Sequence, residues 1–366
     1  MKRIISLILI TLLCLSCEKK KDTINIGAVL PLSGPIAQYG KYMEQGLEIA
    51  LDDAQAENII KKGSVRLIIE DGQAEPRKSV DAFNKLITSD KIVVCIPATS
   101  GVTLAMKPIA NQNKVVLINA SAISNEIEDK SDYVFSILPN AKTEGEFLAT
   151  VAHDTIKAKN AVIVYRDDAS GSSFKDSFKQ KFQELGGKIV DIESHQPNPN
   201  SFQNIISKIK KNPADIIFVA SFGPEVALFA KQSKELGLNK QIITYETFNS
   251  PKVLEIAGNT ANGVIFCSPK FNEKSEDPQI KNLRKKVLQK YNQSEINYYI
   301  AAHYDALMII SKAIAAGNNN GESIRNYLAS LKFYDGITGK MYFNKTGGVT
   351  MQLDLYTVHN NEFVRF

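Results

Sequence analysis

Residues 24–40 read INIGAVLPLSGPIAQYG, and they contain a pattern that the rest of the chain repeats. A mostly apolar run, 24–30, is followed by a loop of proline, serine and glycine and then by an amphipathic stretch, 38–57. A short apolar run of this length is typical of a strand buried on both faces of a parallel sheet. The helical spacing after the loop predicts a helix, so these residues indicate the first strand–helix unit of an α/β fold.

The same alternation continues as far as residue 268. Further strand-like runs are 65–71, 91–97, 114–120, 160–166, 187–193, 214–220, 241–246 and 262–268. Helical stretches between them are 76–89, 143–158, 174–185, 201–211, 223–236 and 250–258. The pattern predicts two successive doubly wound sheets of four or five parallel strands each. Residues 275–331 have mostly helical spacing, and the tail predicts a hairpin around 359–361.

The chain begins with MKRIISLILITLLCLSC, which has the order of a signal peptide: two basic residues, an apolar run and a small residue before Cys17. The apolar run is shorter than the ~20 residues that a membrane span needs. Its end resembles the lipobox of bacterial lipoproteins, so we expect removal of residues 1–16 and a lipid on Cys17. Ordinary secretion with cleavage near Ser16 is the alternative. Residues 17–23 are then a polar tether.

Size and composition limit the remaining possibilities. Without its signal peptide the chain has 350 residues, more than the ~250–300 at which a single core stops growing, so two domains are expected. The net charge of +5 is small and its basic residues are scattered, which does not indicate nucleic-acid binding. Cys95 and Cys267 lie in apolar runs, where we expect two buried free thiols; a disulfide is the alternative in an oxidising compartment.

The sequence lacks the common signatures of enzymes and metal sites. The four histidines have no metal-ligand spacing, and no nucleotide-binding, metalloprotease or EF-hand pattern occurs. We therefore expect no catalysis, no cofactor and no metal.

Candidate binding residues come directly after predicted strands, because ligands of open α/β sheets bind beyond the carboxyl ends of the strands. Ser100 follows 91–97 at the start of a helix, where hydroxyl and N–H groups can bind an anion; a plain N-cap is the alternative. Ser121 and Ala122 lie in a polar turn after 114–120. Glu246 can pair with a ligand cation, with a surface glutamate as the alternative. An anion site and a cation site together suit a zwitterion such as an α-amino acid.

The segments INIGAVLPLSGPIAQYG, VRLIIEDGQAEPRKSV, KVVLINASAISNEI and VIVYRDDASGSSF resemble the type I periplasmic substrate-binding proteins of branched-chain amino-acid (leucine/isoleucine/valine) ABC transporters. The resemblance extends over nearly the whole chain after the signal peptide. It implies the periplasmic binding protein type I fold, two α/β lobes joined by three crossovers near 137–140, 267–270 and 342–345. The implied lobes are an N-terminal lobe of 24–138 plus 269–343 and a C-terminal lobe of 139–268 plus 344–366.

The resemblance also implies roles for individual residues. Ser100 matches the serine that binds the ligand carboxylate, Glu246 the acid that binds the ligand ammonium, and Tyr39 a tyrosine of the side-chain pocket. Three positions depart from the family pattern, which puts leucine, isoleucine and valine in doubt as the particular ligands. A threonine is Ile123 here, a tyrosine of the cleft wall is Ser170, and a pocket tyrosine is Phe222. The predicted ligand-binding residues are Tyr39, Ser100, Ser121, Ala122, Ile123, Ser170, Phe222 and Glu246.

Together these features predict an exported, monomeric binding protein that is held at the cell envelope by a lipid on Cys17, on the periplasmic face or at the cell surface. Such a protein captures an amino acid or a related amine or amide between its lobes and delivers it to an ABC transporter permease in the membrane. A sensing lipoprotein that passes a signal to a membrane partner is the alternative.

Overall fold

The structure is a computed structural model that describes residues 23–128 and 132–366. The predicted signal peptide and the predicted lipidation site, Cys17, lie outside the described residues. The strands are β1 (Ile24–Leu30), β2 (Val65–Asp71), β3 (Val94–Pro97), β4 (Val116–Asn119), β5 (Val134–Ser136), β6 (Asn160–Arg166), β7 (Lys188–His195), β8 (Ile216–Ala220), β9 (Gln241–Thr244), β10 (Ile265–Pro269), β11 (Phe333–Gly336), β12 (Gly339–Phe343), β13 (Val349–Thr350), β14 (Leu353–His359) and β15 (Glu362–Arg365).

The helices alternate with the strands of the two large sheets and then form a block of three. They are α1 (Ala37–Ala56), α2 (Pro76–Thr88), α3 (Ser100–Asn113), α4 (Ala141–Thr150), α5 (Ala169–Glu184), α6 (Gln203–Ile209), α7 (Gly223–Glu235), α8 (Pro251–Ala257), α9 (Pro278–Tyr291), α10 (Tyr298–Ala315) and α11 (Gly321–Ser330). One π-helical turn, Val151–Thr155, extends α4, and two short 3₁₀ turns are Glu246–Phe248 and Gly258–Ala261.

Two sheets with the same strand order form the frame of the molecule. The first has the order β2-β1-β3-β4-β5, and all its pairs are parallel. The second repeats this order as β7-β6-β8-β9-β10 and adds the antiparallel strands β14 and β15 at one edge. The predicted fold class, α/β with two doubly wound and mainly parallel sheets, is confirmed, and so is the hairpin in the tail.

The chain passes between the two large sheets three times, after β5, after β10 and after β13. Strand β13 pairs with β12 in a small antiparallel sheet, β11-β12-β13, that the sequence pattern did not predict. The division into two lobes at the stated residues stays a prediction.

Local chemistry explains where several elements begin and end. Helix α5 begins at Ala169, earlier than the predicted 174, because the Asp168 side chain accepts a hydrogen bond from the N–H of Gly171 at 2.8 Å and caps the helix. Strand β3 begins three residues later than predicted, because Lys91 has a φ of 52° and turns the chain out of the extended conformation.

Helix α10 is buried along most of its length and packs against α1, the helix that follows β1 of the first sheet. The two helices approach so closely that a Cβ atom added at Gly46 would lie 2.2 Å from the carbonyl oxygen of Ile300. This contact ties the C-terminal helical block to the first sheet. In the described part of the chain, no helix is both long enough and apolar enough to cross a membrane.

Candidate ligand-binding site

The two sheets have equivalent switch points, where the strand order reverses, between β1 and β3 and between β6 and β8. Ligands of doubly wound sheets bind in the crevice that opens at the carboxyl ends of the strands at such a point. Tyr39 and Ser100 follow β1 and β3, while Ser170 and Phe222 follow β6 and β8. Four of the predicted site residues thus belong to the two crevices, and Glu246 follows the next strand, β9.

Ser100 connects the loops after β3 and β4. Its Oγ accepts hydrogen bonds from the backbone N–H groups of Ile123, at 3.1 Å, and Ser124, at 3.2 Å, and its hydroxyl proton remains available to a further acceptor. The preceding Thr99 has a φ of 66° and its side chain makes no capping hydrogen bond. The plain N-cap is therefore not observed. A β-branched residue at positive φ is strained, and such strain concentrates at functional sites.

Asn119 shapes the turn that holds Ser121, Ala122 and Ile123. Its Oδ1 accepts the N–H groups of Ser121 and Ala122, and its Nδ2 donates to the Ala122 carbonyl at 2.6 Å. The side chain of Ala122 joins the core of the first sheet, whereas that of Ile123 joins an apolar cluster that includes Tyr245. The Ser121 hydroxyl is buried and has no partner among the described residues. Ser121 thus keeps an unused polar group, while Ala122 and Ile123 fill space.

Tyr39 and Phe222 bring the two switch points into contact, because their ring centroids lie 4.7 Å apart. Tyr299, near the start of α10, packs against Tyr39 at 5.1 Å. The Tyr39 hydroxyl lies 3.5 Å from Ser250 Oγ. Burial raises the pKa of Tyr39 to about 12, so its hydroxyl stays neutral. The three rings form an apolar wall between the sheets.

Glu246 is buried, with 8% of its surface exposed, so the surface-glutamate alternative is wrong. It begins the 3₁₀ turn Glu246–Phe248, two residues after β9 ends. Glu144 on α4 is 1% exposed, and both α4 and the turn that Glu246 begins pack against β10. Burial raises the pKa of Glu246 to about 7. Burial and the charge of Glu246 raise the pKa of Glu144 well above its ordinary range. The pair therefore retains a proton at neutral pH.

Ser170 is half-buried at the second position of α5. One turn later, Ser173 contacts the turn after β4: its hydroxyl lies 3.2 Å from that of Ser124 and accepts the N–H of Asn125 at 3.2 Å. The sequence interpretation missed Ser124, Ser173, Glu144 and Tyr299. Only Tyr299 left a signal, the tyrosine pair that opens a mostly apolar helix.

Cys95 and Cys267 are free and buried, as expected. Cys267 Sγ donates to Glu144 Oε2 at 3.4 Å, so it supports the acid pair. Among the described residues no cluster of histidine, cysteine, aspartate and glutamate could hold a metal ion.

Comparisons with known proteins agree with this geometry. A family model described as "Periplasmic binding protein" matches residues 23–362. The Leu/Ile/Val-binding protein BraC3 of Rhizobium johnstonii is 25% identical over 332 residues, which are 90% of this chain and 89% of that protein.

Two solved structures have the same fold. The leucine binding protein LivK from Thermotoga maritima has a TM-score of 0.85 at 23% identity, covering 94% of this chain and 98% of that one. The branched-chain amino acid transporter substrate binding protein LivJ from Streptococcus pneumoniae, in complex with isoleucine, has a TM-score of 0.84 at 25% identity, covering 93% of this chain and 97% of that one.

The family resemblance stated from the sequence is thereby confirmed. Its relatives are named as binding proteins, and the chain is a binding protein rather than an enzyme. With a family model matching nearly all of its described length, the chain belongs to the periplasmic binding protein family, which acts outside the cytoplasm.

Proposed function

We propose that the protein captures an α-amino acid, or a related amine or amide, in the cleft between two lobes and delivers it to an ABC importer. The lobes are those predicted from the sequence, 24–138 plus 269–343 and 139–268 plus 344–366. One observation carries the proposal. Two hydroxyl groups, of Ser100 and Ser121, lie after strands of the first sheet, and a buried carboxyl, of Glu246, lies after a strand of the second.

The two ends of a zwitterion would find complementary partners here. The Ser121 hydroxyl, the remaining proton of Ser100 and the N-terminus of α3 suit a carboxylate, because helix N-termini present free N–H groups and positive potential. Glu246 suits an ammonium group. A buried carboxylate without a counter-charge is costly, and a ligand cation would supply that charge.

The ligand's side chain would meet the apolar wall of Tyr39, Phe222 and Tyr299. BraC3 is named for binding leucine, isoleucine and valine, and the LivJ structure holds isoleucine. Such ligands are therefore the first candidates. Ile123, Ser170 and Phe222 differ from the family pattern, so the preferred amino acid of this protein can be a different one.

We also propose that a lipid on Cys17 holds the monomeric protein beside a membrane permease. Globomycin, which blocks the lipoprotein signal peptidase, should cause an uncleaved acylated precursor to accumulate, and C17S should abolish acylation. Absence of both effects would contradict the anchor without affecting the binding proposal. A neighbouring permease gene would favour transport, whereas a histidine kinase gene would favour the sensing alternative.

The binding proposal is tested with the fragment 18–366, screened by thermal melting against the twenty L-amino acids. A ligand at a hundred times its Kd should stabilise the protein by about 2.7 kcal/mol. Isocaproate, which lacks the ammonium group of leucine, should give no shift.

Two matched substitutions identify the site. E246Q should abolish the shift, whereas E255Q, which changes an exposed glutamate paired with Lys252, should keep it. A shift retained in E246Q would locate binding elsewhere. No shift with any amino acid would contradict the proposed ligand class.

A further inference from the structure

The site contains one more acid than a single ammonium group needs. Glu144 and Glu246 are both buried, and the elements that carry them, α4 and the turn Glu246–Phe248, both pack against β10. Burial and the charge of Glu246 raise the pKa of Glu144. Among residues 23–128 and 132–366, Glu144 Oε1 and Glu246 Oε2 have no hydrogen-bond partner. Two buried carboxyls whose charges act on each other cannot both be ionised without a cation beside them, so the empty pair holds a proton.

The groups that surround the pair do not supply that cation. Cys267 of β10 donates its thiol proton to Glu144, and Tyr245 directly precedes Glu246. From α10, Tyr298 and Tyr299 face the pair as neutral phenols, because burial and then the charge of Glu246 raise the pKa of both. These thiol and phenol groups are neutral in their protonated forms, so none of them offers a positive charge to the two glutamates.

Charged groups on the adjacent helices are engaged with other partners. Helix α7 packs against Glu246–Phe248, and its Glu225 accepts a hydrogen bond from Ser221 and lies 3.9 Å from Arg166. Arg166 itself pairs with Asp168 at 3.0 Å. Helix α5 packs against α4, and its Lys175 pairs with Asp176. The part of the chain that the structure describes therefore shows no ion pair to Glu144 or Glu246.

A hydroxyl from the other side also remains unused. Tyr298 is 6% exposed, and its OH has no hydrogen-bond partner in the described residues. It belongs to α10, which packs on α1 of the first sheet, whereas both glutamates belong to elements of the second. Burial and then the charges of Glu246 and Glu144 raise the pKa of Tyr298. Glu144, Glu246 and Tyr298 thus each keep a buried polar atom that has no partner among the described residues.

We propose that Glu144 and Glu246 together bind the ammonium group of the ligand in exchange for the proton they share, so that each capture releases one proton. The inference rests on the proposed function, since it takes an α-amino acid as the ligand. In the empty site two carboxyls and one proton carry a charge of −1. In the loaded site two carboxylates and one ammonium group carry the same charge, and the proton passes to water. Tyr298 is the additional hydrogen-bonding group.

Isothermal titration of the fragment 18–366 at pH 8 measures the exchange directly. The probes are L-leucine, L-isoleucine, L-valine and any other amino acid that shifts the melting temperature. Each is titrated in phosphate and in Tris, whose ionisation enthalpies differ strongly. The wild type should release about one proton per ligand. Its affinity should rise by up to about tenfold per pH unit between pH 7 and pH 8.5.

The variant E144Q keeps a polar side chain and removes the titrating group. It should still bind at pH 8, but the number of protons released should fall close to zero. E146Q, a change two residues away on the same helix, is the matched control and should release as many protons as the wild type.

Each outcome decides between the two proposals. Binding with equal heats in both buffers would overturn proton exchange and leave the proposed function intact. Release of a full proton by E144Q would overturn the role of Glu144. If no amino acid binds, the proposed function fails and this inference fails with it. If E144Q does not fold, as judged by circular dichroism, the wild-type affinity decides, and a constant affinity from pH 7 to pH 8.5 overturns the exchange.

Discussion

Replacing Ser100 with alanine should destabilise the empty protein as well as weaken binding. Ser100 Oγ accepts the N–H groups of Ile123 and Ser124, and all three residues are at least 94% buried. Alanine would leave two buried donors without an acceptor, at about 1–3 kcal/mol each. Because both bonds share one acceptor and a water molecule can partly replace it, we expect a total loss of roughly 2–4 kcal/mol.

Thermal unfolding without ligand measures this loss. In a lobe of roughly 150–250 residues each kcal/mol corresponds to about 2–4 °C, so S100A should melt about 4–16 °C below the wild type. The matched control is S121A, which removes a buried hydroxyl that has no partner among the described residues. S121A should stay within about 0.5 kcal/mol of the wild type while binding more weakly. Equal melting temperatures for S100A and S121A would refute the reasoning.

Three further predictions concern packing and pH. G46A should lower the free energy of unfolding by about 1–3 kcal/mol, because its Cβ would lie 2.2 Å from the Ile300 carbonyl oxygen. G101A, whose Cβ meets no atom closer than 3.8 Å, should instead gain up to about 1 kcal/mol from its higher helix propensity. Urea unfolding of both variants measures the two changes. The raised pKa of Glu144 stabilises the fold below its ordinary value of 4.5, and this contribution is lost as the pH rises through the folded value. The melting temperature of E144Q minus that of the wild type should therefore increase from pH 5 to pH 8, and a constant difference would contradict it. Burial lowers the pKa of His303 from 6.5 to about 4, so the stability that neutral His303 contributes is lost as the pH falls through that range. Between pH 6.5 and pH 4 the melting temperature of H303Q should therefore fall less than that of the wild type. Equal decreases would show that other groups dominate.

The two large sheets could be predicted because their central strands are buried on both faces and therefore appear as largely apolar runs. The same reasoning failed for β5, which has three residues, and for β11 to β13, whose residues are largely half-buried or exposed. Short strands with one exposed face leave little pattern in a sequence, and their pairing depends on distant segments.

The candidate site was predictable only where it lies directly after a strand. Ser100, Ser121 and Glu246 were found in this way, because parallel strands bring their carboxyl ends to one edge. Glu144 was not found, since it lies within a predicted helix and reaches Glu246 only through the packing of α4 against β10. The bonds from Ser100 to the turn after β4 likewise depend on how two loops meet in space. A sequence shows which polar groups are available, but not which of them the fold has already used.

The burial of the two cysteines has a practical consequence. The fragment 18–366 contains no cysteine other than Cys95 and Cys267. Both are buried, and burial raises the pKa of both thiols, which keeps them protonated and poorly nucleophilic. If one cysteine is introduced on each lobe, maleimide dyes should label these two introduced cysteines and leave Cys95 and Cys267 unlabelled. The native protein is a ready background for fluorescence energy transfer between its lobes, with no native residue to remove first.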